Sequence, residues 1–237
     1  MNTTIIKKIK SLLLRLKIVR VTKDLILAKI FENRIKKLIA NEDKSPIRNG
    51  KNGTFIFIHI NKNGGTSVGK AVGLPKKMHF HVKELINVIG ENEFDKAFVF
   101  SVIRNPWDRV VSQYRYRVKT NQNNLGKNQI SFKKWVKCTY SENKNYFYYD
   151  NPRAFATQSE WLKDTKGNIR VDKLIKFESI NHDYKVIAKK LGIQDNLPHL
   201  NSTKKESYHK YYDSETIEIV RNWFKEDIER FNYSFEI

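Results

Sequence analysis

The sequence predicts an α/β fold in three layers, in which helices cover both faces of a central, mostly parallel sheet and basic helices precede that sheet. Two segments, Thr54–Ile60 and Ala97–Ile103, are short and almost wholly apolar, as strands buried on both faces are. Each runs into a polar loop and then into a helical pattern, and a helix is expected between them at about Val82–Ile89. Strand, helix and strand in this order are typical of a parallel sheet.

The later part of the chain continues this pattern. Leu174–Phe177 predicts a third strand, and helices are expected at about Ile180–Leu191 and Ser214–Phe231. The 237 residues are 40% hydrophobic and 12% aromatic, which is enough for one sizeable domain with a packed core. We therefore expect one domain at residues 51–237, after an extension of residues 1–50.

The extension differs in charge from the rest of the chain. Residues 1–40 carry eleven Lys and Arg residues against Asp24 and Glu32, a net charge of +9, and their apolar residues recur at helical spacing. Such basic amphipathic helices suit peripheral contact with an anionic membrane, and they equally suit packing against the domain or another copy of the chain. Asn41–Gly53, with one proline and two glycines, reads as a linker.

The whole chain is strongly basic, with a formal charge of +20. This charge favours an acidic partner such as an anionic membrane, a nucleic acid, a polyanionic saccharide or a phosphorylated cofactor, although a solvated Lys-rich surface would give the same number. The early apolar run at Leu12–Leu14 is interrupted by Arg15 and Lys17, so we expect neither a transmembrane helix nor a signal peptide. With one cysteine, Cys138, the chain fits a cytoplasmic location, including one peripheral to the inner face of the membrane.

The loop after the first predicted strand has the composition of a phosphate cradle. It reads NKNGGTS over residues 61–67 and leads into a helical pattern. The two glycines allow a tight turn and a close approach of the backbone to a ligand, and a helix N-terminus favours an anion. The hydroxyl groups add donors and the lysine adds a positive charge. We expect this loop to bind the 5′-phosphate end of a nucleotide through Lys62, Asn63, Gly64, Gly65, Thr66 and Ser67.

The order of residues in this loop differs from the P-loop of kinases and ATPases. That motif places a lysine after the glycines, as G-x-x-x-x-G-K-[ST], whereas Lys62 precedes Gly64. The shorter loop suits a 5′-phosphate that carries one further group better than a triphosphate with Mg²⁺. A tight turn with an incidental lysine is the structural alternative.

A second anion site is predicted where the second strand ends. Pro106 suits the first helical position, with Asn105 as the N-cap and Asp108 in a capping-box position. Arg104 then lies at the carboxyl end of a strand, where α/β sheets bind ligands, and Ser112 lies two turns into the helix. A guanidinium and a hydroxyl at these positions suit a second phosphate.

Both residues of this second site have structural alternatives, namely an ion pair between Arg104 and a neighbouring carboxylate, and a helix position of no consequence for Ser112. Asp108 and Arg109 read as structural residues. Two anion sites at adjacent strand ends predict a ligand with two separate phosphates, such as an adenosine 3′,5′-bisphosphate.

Two segments resemble those of carbohydrate sulfotransferases. FIFIHINKNGGTS at residues 55–67 resembles their 5′-phosphosulfate loop, an apolar strand followed by H-I-P-K-T-G-G-T-S. FVFSVIRNPWDRVVSQYRYR at residues 98–117 resembles their 3′-phosphate segment, V-R-N-P-W/Y-D-R-L-V-S-x-Y. The resemblance spans about residues 54–237, includes Gln158, and is strongest to the branch with heparan sulfate 2-O- and chondroitin/dermatan-type enzymes and bacterial relatives. Asn61 departs from the usual Pro and Asn63 from the usual Thr.

The resemblance implies a P-loop-like fold and transfer of a sulfuryl group from 3′-phosphoadenosine 5′-phosphosulfate to a hydroxyl or amine of a saccharide, including an acidic glycan. It implies that Lys62 stabilises the leaving phosphate, that Arg104 and Ser112 bind the 3′-phosphate, and that Lys204 and Lys205 cover the donor. No metal is expected, because the lysine and the loop N–H groups meet the charge of the leaving group.

A general base is also expected, because the acceptor must lose a proton. The candidates are His79 and His81, since some relatives carry a similar His-x-His, and His81 is preferred because a helix N-terminus keeps an imidazole neutral. Asp108 and Glu178 are weaker options, and His59 reads as a buried structural residue.

Two other classes of function remain as alternatives. A nucleotide or sugar kinase of P-loop-like fold would need a metal-binding carboxylate at a strand end. A non-catalytic basic protein that binds nucleic acid or membrane would use the N-terminal helices, although no RNA-binding module or helix-turn-helix is recognisable and no specific nucleic acid is expected. The oligomeric state stays open.

Overall fold

A four-stranded sheet lies at the centre of the protein. The computed structural model describes residues 20–41, 45–74, 78–198 and 207–235. The strands follow one another across the sheet in chain order. They are β1 (Ile47–Gly50), β2 (Gly53–Ile58), β3 (Phe98–Ile103) and β4 (Lys173–Lys176). β2, β3 and β4 are parallel, and β1 pairs antiparallel with β2.

Helices connect and flank these strands. The α-helices of the described residues are α1 (Arg20–Ile39), α2 (Gly65–Ala71), α3 (Val82–Ile89), α4 (Glu91–Asp95), α5 (Pro106–Lys119), α6 (Phe132–Tyr140), α7 (Pro152–Phe155), α8 (Gln158–Leu162), α9 (Ile180–Leu191), α10 (Ser214–Trp223) and α11 (Lys225–Phe231). None of the helices within the described ranges is long and apolar enough to cross a membrane.

The two faces of the sheet are both covered, because the side chains of each strand alternate between them. Phe55 and Phe57 of β2 pack in a cluster with α2 and α9, whereas Ile56 and Ile58 pack in another with α1, α3, α8 and α11. The predicted three-layer α/β fold with a mostly parallel sheet is therefore confirmed. A third cluster, centred on Trp107 and Trp135, joins α5, α6, α7 and α10 beside the sheet.

Three predicted elements differ from the structure by more than one residue at a boundary. The first strand ends at Ile58 instead of Ile60, because the chain leaves the sheet to form the loop. The linker at Asn41–Gly53 contains β1, whose Gly50 passes so close to α9 that a methyl group there would lie 2.2 Å from the Leu191 carbonyl oxygen. The predicted helix Ser214–Phe231 divides into α10 and α11.

The basic helix α1 packs against the domain. Ile35 is fully buried in the same cluster as α3, and Leu38 and Ile39 pack beside it. Membrane contact, packing against the domain and packing against another copy were the alternatives for the extension. The C-terminal end of α1 packs against the domain. Residues 1–19 lie outside the described residues.

Candidate functional site

The loop after β2 turns at two residues with left-handed backbone conformations. Lys62 has φ 69° and Gly64 has φ 75°. A methyl group at Gly64 would lie 2.7 Å from the Phe177 ring, and one at Gly65 would lie 2.2 Å from Cδ2 of His59. Glycine is therefore required at both positions, because a side chain would collide with rings packed against the backbone.

The glycines lead directly into α2. Thr66 and Ser67 form its first turn, both are half-buried, and the Ser67 N–H donates to the Gly64 carbonyl at 3.1 Å. The N-terminus of α2 therefore lies at the carboxyl end of β2, where its dipole favours an anion. This is the arrangement expected of a phosphate cradle.

Arg104 follows β3 and reaches across to this loop. Its NH1 donates to the Lys62 carbonyl at 2.9 Å, and its guanidinium carbon lies 4.1 Å from the centre of the Phe177 ring. Both oxygens of Asp108 accept hydrogen bonds from the same guanidinium, at 2.7 and 2.8 Å. The ion pair considered as the alternative for Arg104 is thus present, and Asp108 serves it instead of a capping box.

One face of α5 brings the two predicted anion sites together. Asp108, Ser112 and Tyr116 are spaced by four residues and so share this face. Asp108 binds Arg104, and the Tyr116 ring lies 4.1 Å from the Lys62 ammonium. Ser112, which is half-buried, lies between the side chains that contact the lysine and the arginine. The sequence analysis missed Tyr116, although the four-residue spacing from Ser112 could have identified it.

The side chain of Asn63, a residue that the sequence predicts to bind the nucleotide, is turned away from the cradle. The residue is fully buried, and its Nδ2 donates to the Val102 carbonyl at 2.7 Å and to Gln158 Oε1 at 2.6 Å. The side chain is turned inward because these two acceptors lie beneath the loop. Asn63 therefore anchors the cradle from inside.

Asn61 anchors the start of the loop in a similar way. Its Nδ2 donates to the Ala154 carbonyl at 3.0 Å, and its Oδ1 accepts from Arg109 NH2 at 2.9 Å. Arg109 is fully buried, and burial lowers the pKa of its guanidinium. These bonds hold the segment where the related sequences have a rigid proline. They also confirm that Arg109 has a structural role.

His81 lies at the N-cap of α3 and is almost fully buried. Its ring packs against Trp161 at a centroid distance of 4.3 Å with the two planes tilted by 45°, and its two ring nitrogens have no hydrogen-bond partner within the described residues. Burial, followed by the positive charges of Arg153 and Lys83, lowers the pKa of His81 to about 2. The imidazole is neutral, as the sequence predicts, but it is a weak base.

His79, unlike His81, contacts a residue that packs against the loop after β2. Its Nδ1 is 2.9 Å from the His59 carbonyl oxygen, and its ring lies 4.4 Å from the His59 ring, which in turn packs against Gly65. A carbonyl oxygen only accepts, so Nδ1 of His79 carries a proton, and the neutral form of a ring protonated at Nδ1 has its lone pair on Nε2. His79 is half-buried. His59 itself is buried, as its structural interpretation predicts.

The carboxylates considered as weaker bases both have structural partners. Asp108 binds Arg104, while Glu178 accepts from the Asn105 N–H at 2.8 Å and from the Tyr233 hydroxyl at 3.2 Å. Lys204 and Lys205 lie outside the described residues. Among the residues that are described, no group of three His, Cys, Asp or Glu side chains is arranged to hold a metal ion.

Comparison with known proteins gives three matches. Residues 47–234 match the model of a family described as the sulfotransferase family. An uncharacterized protein of Archaeoglobus fulgidus is 29% identical over 125 residues, which are 52% of this chain and 92% of that protein. The crystal structure of a sulfotransferase from Alicyclobacillus acidocaldarius aligns at 14% identity with a TM-score of 0.36, over 87% of this chain and 92% of the other.

Proposed function

The chain belongs to the sulfotransferase family, and from that premise we propose that it transfers a sulfuryl group from 3′-phosphoadenosine 5′-phosphosulfate to a hydroxyl or amine of a saccharide. The observation that carries the proposal is the convergence of Lys62, Arg104 and Ser112 around one face of α5. These groups come from two strand ends, as a ligand with two separate phosphates requires. Gly64 and Gly65 let the loop pack against the Phe177 and His59 rings and lead into the N-terminus of α2, whose dipole favours the 5′-phosphate.

The donor supplies a sulfuryl group, whose bond to the 5′-phosphate oxygen breaks as the acceptor atom bonds to sulfur. Lys62 stabilises the negative charge that grows on that phosphate oxygen, and the start of α2 orients the phosphate. Arg104 and Ser112 hold the 3′-phosphate. Catalysis of this kind depends mainly on positioning and on fixed charges.

His79 is the base in this proposal, in place of His81, which the sequence favours. The acceptor proton passes to Nε2 of His79, because Nδ1 is held by the His59 carbonyl. His81 has too low a pKa for efficient proton uptake near neutral pH, and its burial separates it from solvent. The two histidines therefore have different roles: His79 moves a proton, and His81 packs.

The acceptor is proposed to be a saccharide because exposed aromatic rings occur beside a basic group. Tyr146 is 68% exposed and Phe147 is 53% exposed, and Lys144 lies in the same segment. Aromatic faces suit the C–H faces of sugars, and the overall charge of +20 suits an acidic glycan. Trp135 and Trp161 are core residues with at most 1% exposure, so their rings are not available to a sugar.

Binding of adenosine 3′,5′-bisphosphate tests the donor site. We expect micromolar binding by calorimetry without Mg²⁺, and a loss of about 2 kcal/mol or more for Arg104→Ala because charged hydrogen bonds are removed. Part of the lost binding energy will come from the carboxylate of Asp108, which loses its partner in Arg104→Ala. The double variant Arg104→Ala/Asp108→Ala removes this carboxylate as well, so it should recover that part of the binding energy and no more. Lys62→Ala should weaken binding less and turnover more.

Arg221→Ala provides the matched control, since Arg221 forms an exposed pair with Glu218 on α10. Its binding should equal that of the wild type. Absence of bisphosphate binding by the wild type would contradict the proposal. A strict need for Mg²⁺ would favour the kinase alternative.

A matched pair of substitutions tests the base. His79→Phe should lower transfer of radiolabelled sulfate to unsulfated oligosaccharides at least about 100-fold, with bisphosphate affinity retained, because proton transfer is lost. His81→Phe preserves the ring packing on Trp161 and should retain most of the transfer. His182→Ala, at an exposed position of α9, is the control for surface histidines. The reverse result, with transfer lost only in His81→Phe, would assign the base to His81.

A further inference from the structure

Gln158 lies fully buried at the start of α8, between the two anion sites. Its Oε1 accepts from Asn63 Nδ2 at 2.6 Å and from the Arg104 N–H at 2.8 Å. Its Nε2 donates to the Arg104 carbonyl at 2.9 Å. One amide therefore pairs with both backbone groups of Arg104, as a neighbouring strand would, and also with the cradle loop.

The amide is itself held in place from the opposite side. The Gln158 N–H donates to Asp227 Oδ2 at 2.6 Å, and the N–H and hydroxyl of Ser159 both donate to Asp227 Oδ1 at 2.7 Å. Asp227 is fully buried on α11. The side chain of Gln158 thus extends from a fixed backbone, and its position does not depend on a ligand.

A residue such as Gln158 is needed to connect the loop that carries Asn63 with the segment that carries Arg104. The sheet pairing of β2 with β3 extends only to Ile58 and Ser101, so ladder hydrogen bonds no longer relate the chain segments that carry Asn63 and Arg104. Gln158 replaces the missing ladder at this point. Both polar atoms of the Gln158 amide have partners, whereas Oδ1 of Asn63 is buried without a hydrogen-bond partner among the described residues.

We propose that Gln158 is a positioning residue that sets the distance between the 5′- and 3′-phosphate sites. The inference rests on the proposed function of those sites. Gln158 acts through Asn63 and Arg104 and does not touch the donor. Its contribution should therefore appear in how much affinity a nucleotide gains from its 3′-phosphate.

Calorimetry with two nucleotides measures that gain directly. Adenosine 3′,5′-bisphosphate should bind the wild type about tenfold or more tightly than adenosine 5′-monophosphate, because it alone engages Arg104 through charged hydrogen bonds. In Gln158→Met, which has a similar volume but no amide, the ratio of the two affinities should fall to about threefold or less as the position of Arg104 is lost.

Tyr184→Phe is the matched control, since it removes a hydrogen bond from a buried side chain, Tyr184 hydroxyl to the Gln194 carbonyl at 2.9 Å, that belongs to neither the Gln158 nor the Asp227 network. This variant should be less stable to urea but should keep the wild-type ratio of the two nucleotide affinities. A lower ratio in Gln158→Met would then reflect lost positioning and not a general loss of stability. If Gln158→Met fails to fold, Asn63→Ala tests the loop half of the link: affinity for the monophosphate should fall about fivefold or more, with the 3′-phosphate gain retained.

The outcomes distinguish a failure of the proposed function from a failure of the proposed role of Gln158. A wild type that binds both nucleotides equally, or neither, overturns the proposed function and the inference with it. A wild type with the expected gain and a folded Gln158→Met with the same gain overturns the role of Gln158 alone. Unchanged monophosphate binding by Asn63→Ala likewise overturns the link through Asn63.

Discussion

At the scale of single residues, His79 and His81, just before α3, show that two identical side chains close in sequence can lie in different environments. They are two positions apart, yet His79 donates to a carbonyl and is half-buried, whereas His81 is buried against Trp161. Burial and two nearby positive charges hold the pKa of His81 at about 2. A histidine with such a pKa affects stability more than catalysis.

The free energy of unfolding should consequently depend on His81 in mildly acidic solution. Unfolded His81 takes up a proton below about pH 6.5, while the folded form stays neutral down to about pH 2, so the unfolded state binds more protons and stability falls as pH falls. Between pH 7 and pH 5, the wild type should lose about 2 kcal/mol more than His81→Phe.

Urea unfolding at the two pH values measures this difference, and the subtraction removes the contribution of other titrating groups that the two proteins share. Equal losses in wild type and His81→Phe would show that His81 is accessible to protons in the folded state. In that case it would again be a candidate for the base.

At the scale of elements, α2 has two glycines with opposite requirements. A methyl group at Gly65 would overlap the buried His59 ring, whereas one at Gly69 would lie 3.9 Å from its nearest neighbour, Leu74. Both residues are buried in the same short helix. The close approach of helix to ring is therefore specific to the N-terminal turn, where the cradle lies.

Alanine substitutions should reveal this contrast. Gly65→Ala should lower the free energy of unfolding by about 1–3 kcal/mol through overpacking, and it should weaken bisphosphate binding because the loop must shift. Gly69→Ala should raise stability by about 0.5–1 kcal/mol, since alanine restricts the unfolded chain and favours a helix. Thermal melts with and without bisphosphate would test both. Equal effects of the two substitutions would contradict the packing at Gly65.

At the scale of the whole molecule, the basic N-terminal helix is part of the folded unit. α1 contributes Ile35 to the cluster that covers one face of the sheet. Its more N-terminal Ile26 is 42% exposed. Six of the eleven Lys and Arg residues at positions 1–40 therefore lie on a helix whose C-terminal end is fixed to the domain.

Ile35→Ala should reduce the free energy of unfolding by about 2–5 kcal/mol, because it leaves a cavity in the sheet-covering cluster. Ile26→Ala on the same helix should change it by no more than about 0.5 kcal/mol. Chemical denaturation followed by far-UV circular dichroism gives both values. An Ile35→Ala protein as stable as the wild type would mean that the helix is independent of the domain.

The sequence by itself determined the strand–loop–helix units, the helices Val82–Ile89 and Ile180–Leu191 to the residue, and the N-cap at Asn105. It also determined the glycine cradle and the placement of Arg104. These features depend on periodicity and turn chemistry over a few neighbouring residues, so the local order of residues is sufficient to predict them.

The tertiary structure alone decided which way Asn63 points, which of the two histidines before α3 is buried, and that Gly50 belongs to an edge strand. Asn63 bonds to Gln158, 95 residues further along the chain, and the pKa of His81 depends on Arg153 and burial. Partners so distant in sequence leave no local pattern. Their effect on a side chain exists only once the fold has brought them together.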